Sequence, residues 1–418
     1  MVVTKRKLGI AMGNAQQKVD SCEQSTELRL KEKAFTRQRK LGARNILSII
    51  LWGIYHSLQL CLDKYFNEIG EPTVSKQAFS KARRYLNPEY VRSFADDTSE
   101  IAAGDEAKPT YNGMPLVAID GSDVALENTS ELKEAFGCSG PQKNAATALC
   151  SIAFDPLSHA IYDCRIDRYD TDERVLAKAH VARLLELGMR GSLLLFDRWY
   201  PSADFIASLY EAGFSFVMRV RRKFNLEADS IKTQGWIHLE HDGKRYPVRV
   251  LKVLLPTGET ETLFTSLNQR QLPIRKAGGL YFERWKVETA YDTIKSKLEL
   301  ENFSGKTKVS VLQDFYATMW LANIIAFAAE EADELIADSD SDKPLKYSRK
   351  ASRNRSISKF RDVFLRLIVE PNACKRNEIL TSLVSDIARY PIPIVTGRSP
   401  ERKTPRNKRF FQNRRSVL

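Results

Sequence analysis

The sequence predicts an α/β fold with a β-rich insertion and helical regions at both ends, on three observations. Short, nearly continuous apolar runs bounded by turn residues recur between residues 116 and 220, the pattern of strands buried on both faces. Amphipathic stretches opened by capping residues separate the later runs, which makes the order β-β-β-α-β-α-β. From about Asn225 to Pro273 the pattern changes to alternation, with hairpin signals at Asp242-Gly243 and Thr257-Gly258.

The first region, residues 1–110, reads as helical. The apolar window from Ile46 to Leu62 is interrupted by Ser48, His56, Ser57 and Gln59, so it is a buried helix rather than a membrane span. Basic residues Lys31, Lys33, Arg37, Arg39 and Lys40 precede it. Val74–Leu86 predicts a helix with Lys76, Gln77, Lys81, Arg83 and Arg84 exposed. With the turn Gly70-Glu71-Pro72 before it, this segment has the form of the second helix of a helix-turn-helix. Lys76, Lys81, Arg83 and Arg84 are therefore candidate DNA contacts, although a basic helix face is often only solvated.

A core in two parts, residues 111–224 and 274–336, flanks the insertion at 225–273. Strands are expected near Leu116–Ile119, Ala146–Phe154, Ala160–Arg165, Ser192–Phe196 and Ser215–Val220, the second and third joined by the turn Asp155-Pro156-Leu157-Ser158. Helices follow near Thr171–Leu187, where Asp170 and Glu173 are spaced as a capping pair, and near Ser202–Ala212. Gln313–Ile336 is one more apolar helix, and Asp338–Lys343 a polar linker. Residues 337–418 carry further helices near Ser356–Val369 and Glu378–Arg389, then a basic tail from Arg398 to Arg415 expected to order only on DNA.

At 418 residues and 43% hydrophobic content the chain can build two or three real cores. Lys and Arg number 65 against 52 Asp and Glu, a formal +13, which favours a polyanionic partner. The six cysteines are scattered, with no CxxC pair, and read as reduced cytoplasmic thiols. His56, His159, His180, His238 and His241 form no HExxH, so zinc chemistry is not expected. The start MVVTKRKLG lacks the apolar stretch of a signal peptide. A bacterial, cytoplasmic, nucleoid-associated protein without a membrane partner is expected.

Chemistry concentrates in three places. The run MPLVAIDGSDVAL ends an apolar strand on Asp120, and GSLLLFDRWYPSADF ends another on Asp197. In YFERWKVETAYDTIKSK, Tyr281, Arg284, Glu288 and Lys295 fall within an arc of about 60° on a helix at about 100° per residue. Val287, Ala290, Tyr291, Ile294 and Leu298 form the apolar stripe that would pack on a core. Alone, such a charged stripe is ordinarily solvated, with Arg284 to Glu288 a plain i,i+4 pair. A strand-end Asp is ordinarily a turn or cap residue.

Together, Asp120 in AIDGS, Asp197 in LLLFDRWY and the spacing Y-x2-R-x3-E-x6-K from Tyr281 to Lys295 resemble the bacterial insertion-sequence transposases of the DDE type, specifically the IS-four family. The resemblance covers roughly Leu116 to Phe303. The chain departs from it at Trp199, where the family commonly has a small residue after Asp-Arg.

That resemblance implies an RNase H-like core, a mixed sheet flanked by helices with the acids at one edge, and an insertion that contacts DNA. It implies that Asp120, Asp197 and Glu288 hold two Mg²⁺ ions, for which Mn²⁺ can substitute, roughly 3.5–4 Å apart. Mg²⁺ prefers oxygen ligands, which suits an all-carboxylate set. Asp120 would bridge the ions while Asp197 and Glu288 each complete one. Arg284 and Lys295 would hold phosphates, and Tyr281 the backbone or a base. Arg198 and Arg219 join the candidate DNA contacts, and Trp236 in the insertion is either core or a stacking surface for an unpaired base.

The expected activity is DNA transposition: binding of terminal inverted repeats, hydrolysis to free 3′-hydroxyls, and joining of these to target DNA, with a hairpin step and paired protomers implied by the family alone. Two alternatives stand beside it, a metal-dependent nuclease that never joins DNA and a non-catalytic DNA-binding relative.

Overall fold

In a computed structural model of the chain, residues 6–37, 40–142, 144–254 and 258–395 are described. The predicted basic tail from Arg398 to Arg415, and Arg39 of the early basic run, lie outside them.

Helices come first: α1 (Lys7–Ser21), α2 (Ala43–Trp52), α3 (Leu58–Glu68), α4 (Lys76–Arg83) and α5 (Pro88–Ala103). The apolar window from Ile46 to Leu62 is therefore two helices rather than one. Gly53, at φ +81°, ends α2 in a conformation that other residues adopt only under strain. Helix α5 has its own local start signal, with Asn87 as cap and Pro88 in the first turn.

The sheet begins with β1 (Leu116–Ala125), and after α6 (Ser130–Phe136) the chain returns as β2 (Ala145–Phe154), antiparallel to β1, and β3 (Ile161–Arg168), antiparallel to β2. Helix α7 (Glu173–Glu186) crosses to β4 (Leu193–Phe196), and α8 (Ala203–Ala212) to β5 (Ser215–Val220); β4 is parallel to both β1 and β5. Three antiparallel strands followed by two parallel crossovers make the RNase H-like core expected from the sequence. Each crossover helix has its own start signal, Asp172 for α7 and Ser202 for α8.

After the five-residue α9 (Leu226–Ser230), the alternating segment forms β6 (Gln234–His241), β7 (Lys244–Leu254) and β8 (Thr260–Thr265). The hairpin between β6 and β7 turns on Asp242 and Gly243, at φ +48° and +71°, the paired positive values that such two-residue turns require. Of the second hairpin signal, Thr257 lies outside the described residues. These strands are no separate sheet: β8 pairs antiparallel with β5, so the order runs β3-β2-β1-β4-β5-β8-β7-β6.

Helices α10 (Ile274–Phe282) and α11 (Trp285–Asp292) lead to α12 (Lys308–Asp340), then α13 (Arg353–Val369) and α14 (Ala373–Ala388). Thr307 and Ser310 close a reciprocal cap at the start of α12. Helix α12 is long and apolar enough to cross a membrane, but 78% of its most apolar stretch is buried inside the protein, against α5, α2, α14 and β3. Cys22, Cys138, Cys150, Cys164 and Cys374 are thiols outside any disulfide.

Helix α4 departs from its reading at Arg83. Lys76, Lys81 and Arg84 are exposed as expected, whereas Arg83 is 1% exposed. Its guanidinium donates to Gln313 Oε1 (2.8 Å) and Asp314 Oδ1 (2.7 Å) on α12 and to Ser304 Oγ, while Gln313 returns a bond to the Arg83 carbonyl (3.0 Å). A helix must bury one face, and here that face carries an arginine because α12 supplies its partners; Arg83 is a structural joint, not a DNA contact. Arg83→Ala is expected to cost roughly 3–5 kcal/mol in denaturant unfolding by stranding Asp314 and Gln313, against about 0.5 kcal/mol or less for Arg84→Ala.

Candidate active site

Strand β1 outruns its parallel neighbour. Its pairing with β4 ends at Ala118↔Leu195, while its pairing with β2 continues through Asp120↔Ile152 to Ala125↔Thr147. Asp120 is therefore not the last residue of its strand, as the apolar run suggested, but lies mid-strand at the point where β4 stops. Phe196 ends β4 and Asp197 follows at once. Because β1 and β4 run parallel, both acids emerge at the same edge of the sheet.

Glu288 comes to this edge on α11. The stretch from Tyr281 to Lys297, expected as one helix, is in three pieces: the end of α10, α11, and a π-turn over Thr293–Lys297. Arg284 Nη1 lies 3.5 Å from Asp120 Oδ2 and its Nη2 3.1 Å from Glu288 Oε1, so one guanidinium joins two of the acids. Tyr281 donates its hydroxyl to Asp197 Oδ1 at 3.3 Å, and the Arg284 guanidinium stands over its ring. The three acids thus meet around the Tyr281 and Arg284 pair.

Three of the expected DNA contacts, Tyr281, Arg284 and Lys295, are engaged within the protein instead. Arg284 is 3% exposed and Tyr281 is buried, both turned to the acids. Lys295, within the π-turn, donates its Nζ to Ser122 Oγ (2.7 Å) and to the Asp123 carbonyl on β1. Arg198 is exposed beside Asp197, and Arg219 pairs with Glu261 at 3.0 Å. Trp236 is 48% exposed on β6, and Lys76, Lys81 and Arg84 are exposed on α4.

Several residues at the site were not singled out in the sequence. Glu173 was read as half of a capping pair, but Asp172 caps α7 by accepting from the Arg174 amide at 2.9 Å. The freed Glu173 carboxylate lies over Gly121, where an added Cβ would meet it at 2.9 Å, and accepts the Tyr200 hydroxyl at 2.8 Å. Glycine after Asp120 therefore makes room for a fourth carboxylate, and DGS followed by an acid in the first turn of α7 was the available signal.

The main chain of Asp120 is held as firmly. Tyr291 donates to its carbonyl at 2.8 Å, and Ser151 Oγ to the same oxygen at 3.2 Å. Behind Ser151 a fully buried His180 places Nε2 2.9 Å from Oγ and Nδ1 2.8 Å from Asp163 Oδ2. A Ser-His-Asp set sealed from solvent has no access to substrate; here it braces β1, β2, β3 and α7 against one another beneath Asp120.

Burial is the main force on Asp120, which is only 16% exposed, and it pushes the carboxyl up to about 7. Arg284 opposes this, and Glu173, Asp197 and Glu288 add to it by like-charge repulsion. Arg284 is held charged: its burial is outweighed by Tyr281, Asp120, Asp197 and Glu288. Its buried Nε has no hydrogen-bond partner, so charge rather than full bonding keeps it there. The donor set is all oxygen, which suits a hard divalent cation. Its spacing is that of acids gathered on a guanidinium, for among the described residues no group of three His, Cys, Asp or Glu stands ready to hold a metal.

The model of the Transposase DDE domain family matches residues 111–324, just over half of the chain. The chain belongs to that family. The matched span takes in the whole sheet, Asp120, Asp197, Glu288 and most of the apolar part of α12. Among curated relatives, InsZ of Escherichia coli K12, named as a transposase, is 24% identical over 196 residues, 44% of this chain and 63% of that protein. The transposase InsG for insertion sequence element IS4 of Escherichia coli K12 is 22% identical over 280 residues, 61% of each. The chain thus spans less than two thirds of either relative. Among solved structures, the piggyBac transposase synaptic complex with hairpin DNA is similar at a TM-score of 0.47 and 13% identity, over 94% of this chain and 86% of that one. A bacterial insertion-sequence DDE transposase is the family reading, and the family as a whole depends on divalent metal.

The raised Asp120 carboxyl has a measurable consequence. Between its ordinary value of 3.8 and about 7 the folded protein holds a proton that the unfolded chain has lost, so its contribution to stability falls as pH rises through that window. Asp120→Asn in EDTA is expected to melt higher than the parent at pH 8, by an amount worth up to roughly 4 kcal/mol, and equally with it near pH 4. An unchanged difference across that range would show that Asp120 titrates normally.

Proposed function

We propose that this protein is a DNA transposase that binds the terminal inverted repeats of a mobile element, hydrolyses phosphodiester bonds to free 3′-hydroxyls, and joins them to target DNA. The observation that carries the reading is the meeting of Asp120, Asp197 and Glu288 around Tyr281 and Arg284 at one sheet edge, within the span that matches the DDE family.

In this reading Asp120, Asp197 and Glu288 would hold two Mg²⁺ ions, with Mn²⁺ able to substitute, and the bound metal would supply stabilisation of the negative charge that phosphodiester cleavage develops. Arg284 draws Asp120 and Glu288 together, offsetting part of the repulsion among the acids. The grip of Tyr291 and Ser151 on the Asp120 carbonyl fixes where that carboxylate points. Lys76, Lys81 and Arg84 on α4, in the region before residue 110, take the DNA end, and Arg198 takes a phosphate next to the scissile bond. Two protomers pair two ends, and second-strand cleavage proceeds through a hairpin.

Nicking of a plasmid bearing the element ends, with Mg²⁺ present, tests the site. Asp120→Ala, Asp197→Ala and Glu288→Ala are each expected to lower it more than about a hundred-fold while leaving DNA binding in place. Cleavage that survives any one of them removes that residue from the site. Pre-cut ends supplied with target DNA test the joining step: joined product is expected, and its absence alongside nicking would leave a nuclease.

A further inference from the structure

Of the acids at the sheet edge, Arg284 pairs with Asp120 and Glu288. Asp197 and Glu173 form no ion pair among the described residues, and each accepts a tyrosine hydroxyl instead, Asp197 from Tyr281 and Glu173 from Tyr200. Acids drawn inward elsewhere in the fold are treated differently: Asp163 pairs with Arg165 at 2.7 Å and Asp314 with Arg83 at 2.7 Å. A carboxylate taken from water without a counter-charge is costly, so the Asp197 side of the edge is short of positive charge. Two features bring the half-buried Glu173 to that side. Asp172 takes over the cap of α7, and Gly121, where a Cβ would stand 2.9 Å from the Glu173 carboxylate, leaves it a seat against β1. Tyr200, itself buried, fixes Oε2 at 2.8 Å. After burial and Arg284, Glu173 acts on Asp120 more strongly than Asp197 or Glu288 does. Burial, then Asp123 and Asp197, push the Glu173 carboxyl itself up. Arg284 Nε is also buried without a hydrogen-bond partner, so the chain by itself leaves polar atoms at this edge unmatched.

We propose that Glu173 is a fourth carboxylate ligand of the divalent-metal site, holding with Asp120 and Asp197 a cation on the side of the edge that Arg284 does not neutralise. The inference rests on the reading of Asp120, Asp197 and Glu288 as metal ligands and adds to it a residue outside that triad. Four carboxylates facing one guanidinium leave a surplus of negative charge, and every donor is a hard oxygen, the chemistry that Mg²⁺ and Mn²⁺ take. With Glu173 the chain has enough carboxylate to bind a cation before DNA brings phosphate oxygens of its own. Tyr200 is the positioning residue of this arrangement, since its hydroxyl holds one Glu173 oxygen and so directs the carboxylate. Gly121 follows Asp120 for the same purpose: any side chain there would push Glu173 away from the edge.

The test is calorimetric titration of Mn²⁺ into the full chain without DNA, alongside urea unfolding in EDTA. Glu173→Gln removes the charge but keeps the volume and an oxygen for the Tyr200 hydroxyl. It is expected to weaken Mn²⁺ binding about ten-fold or more, at least what losing a group behind a metal ligand costs, with an unfolding midpoint in EDTA no lower than the parent's. Glu186→Gln, at the far end of α7, is expected to bind Mn²⁺ as the parent does. Should Glu173→Gln fail to fold, Glu173→Asp, which keeps the charge and withdraws it by one methylene, is judged by the same two readouts. Parent-like Mn²⁺ affinity in the Glu173 variant overturns the inference, as does a loss of affinity matched by a lower midpoint in EDTA or by an equal loss in Glu186→Gln. Asp197→Ala in the same titration keeps the two readings apart: its expected loss of affinity upholds the metal site whatever Glu173 does. Absence of Mn²⁺ binding by the parent overturns the inference, and the plasmid nicking assay then decides the metal reading by itself.

Discussion

Carboxylates gather at a sheet edge only if something offsets their repulsion, and in this fold Arg284 does so. At an effective dielectric near 20, two like charges about 4 Å apart cost about 4 kcal/mol. A guanidinium reaching Asp120 and Glu288 at once, while its neighbour Tyr281 bonds Asp197, converts part of that cost into attraction. Asp120 remains hard to ionise even so, because burial acts on it more strongly than any one neighbour. Asp120 is thus poised between charge states by its surroundings, a condition that perturbed groups at functional edges share.

The edge itself follows from unequal strand lengths. Strand β1 has ten residues and β4 only four, so β1 runs on past β4 with β2 as its remaining partner, and the space beside Asp120 is left for side chains from α7, α10 and α11. Into it come Glu173 from the first turn of α7, Tyr281 from α10 and Glu288 from α11. The arginine-rich turn after β5 and the Trp199 turn after β4 open at the same rim for the same topological reason. Polar groups behind the edge, from Tyr291 through Ser151 and His180 to Asp163, replace what pairing with β4 would have supplied, fixing the main chain of Asp120 from the other side.

The sequence by itself determined the succession of strands and helices along the core, because buried parallel strands need long apolar runs and crossover helices need caps, and both are local chemistry. LLLFD and AIDGS could be read as strands delivering acids, Asp242-Gly243 as a turn, and Ser202 as a cap, since each depends on neighbours within a few residues. The spacing from Tyr281 to Lys295 could be seen for the same reason: it is local to one segment. Trp199 was visible as a departure, but its exposure and its partner Arg221 were not.

Only the tertiary structure decided where each side chain spends its polar atoms. Arg83 and Arg284 look in sequence like solvated cations on helix faces, yet both are buried because partners far away in the chain, Gln313 and Asp314 for one and Asp120 for the other, satisfy them. Glu173 has the spacing of a cap residue, and it became a member of the acid cluster because Gly121, 52 positions earlier, leaves room for it. Helical periodicity predicted one helix from Tyr281 to Lys297, whereas the chain breaks after α10 and ends α11 in a π-turn. Periodicity records which face is apolar; it carries no information about which distant group will neutralise a charge, and that pairing is settled only when the chain has folded.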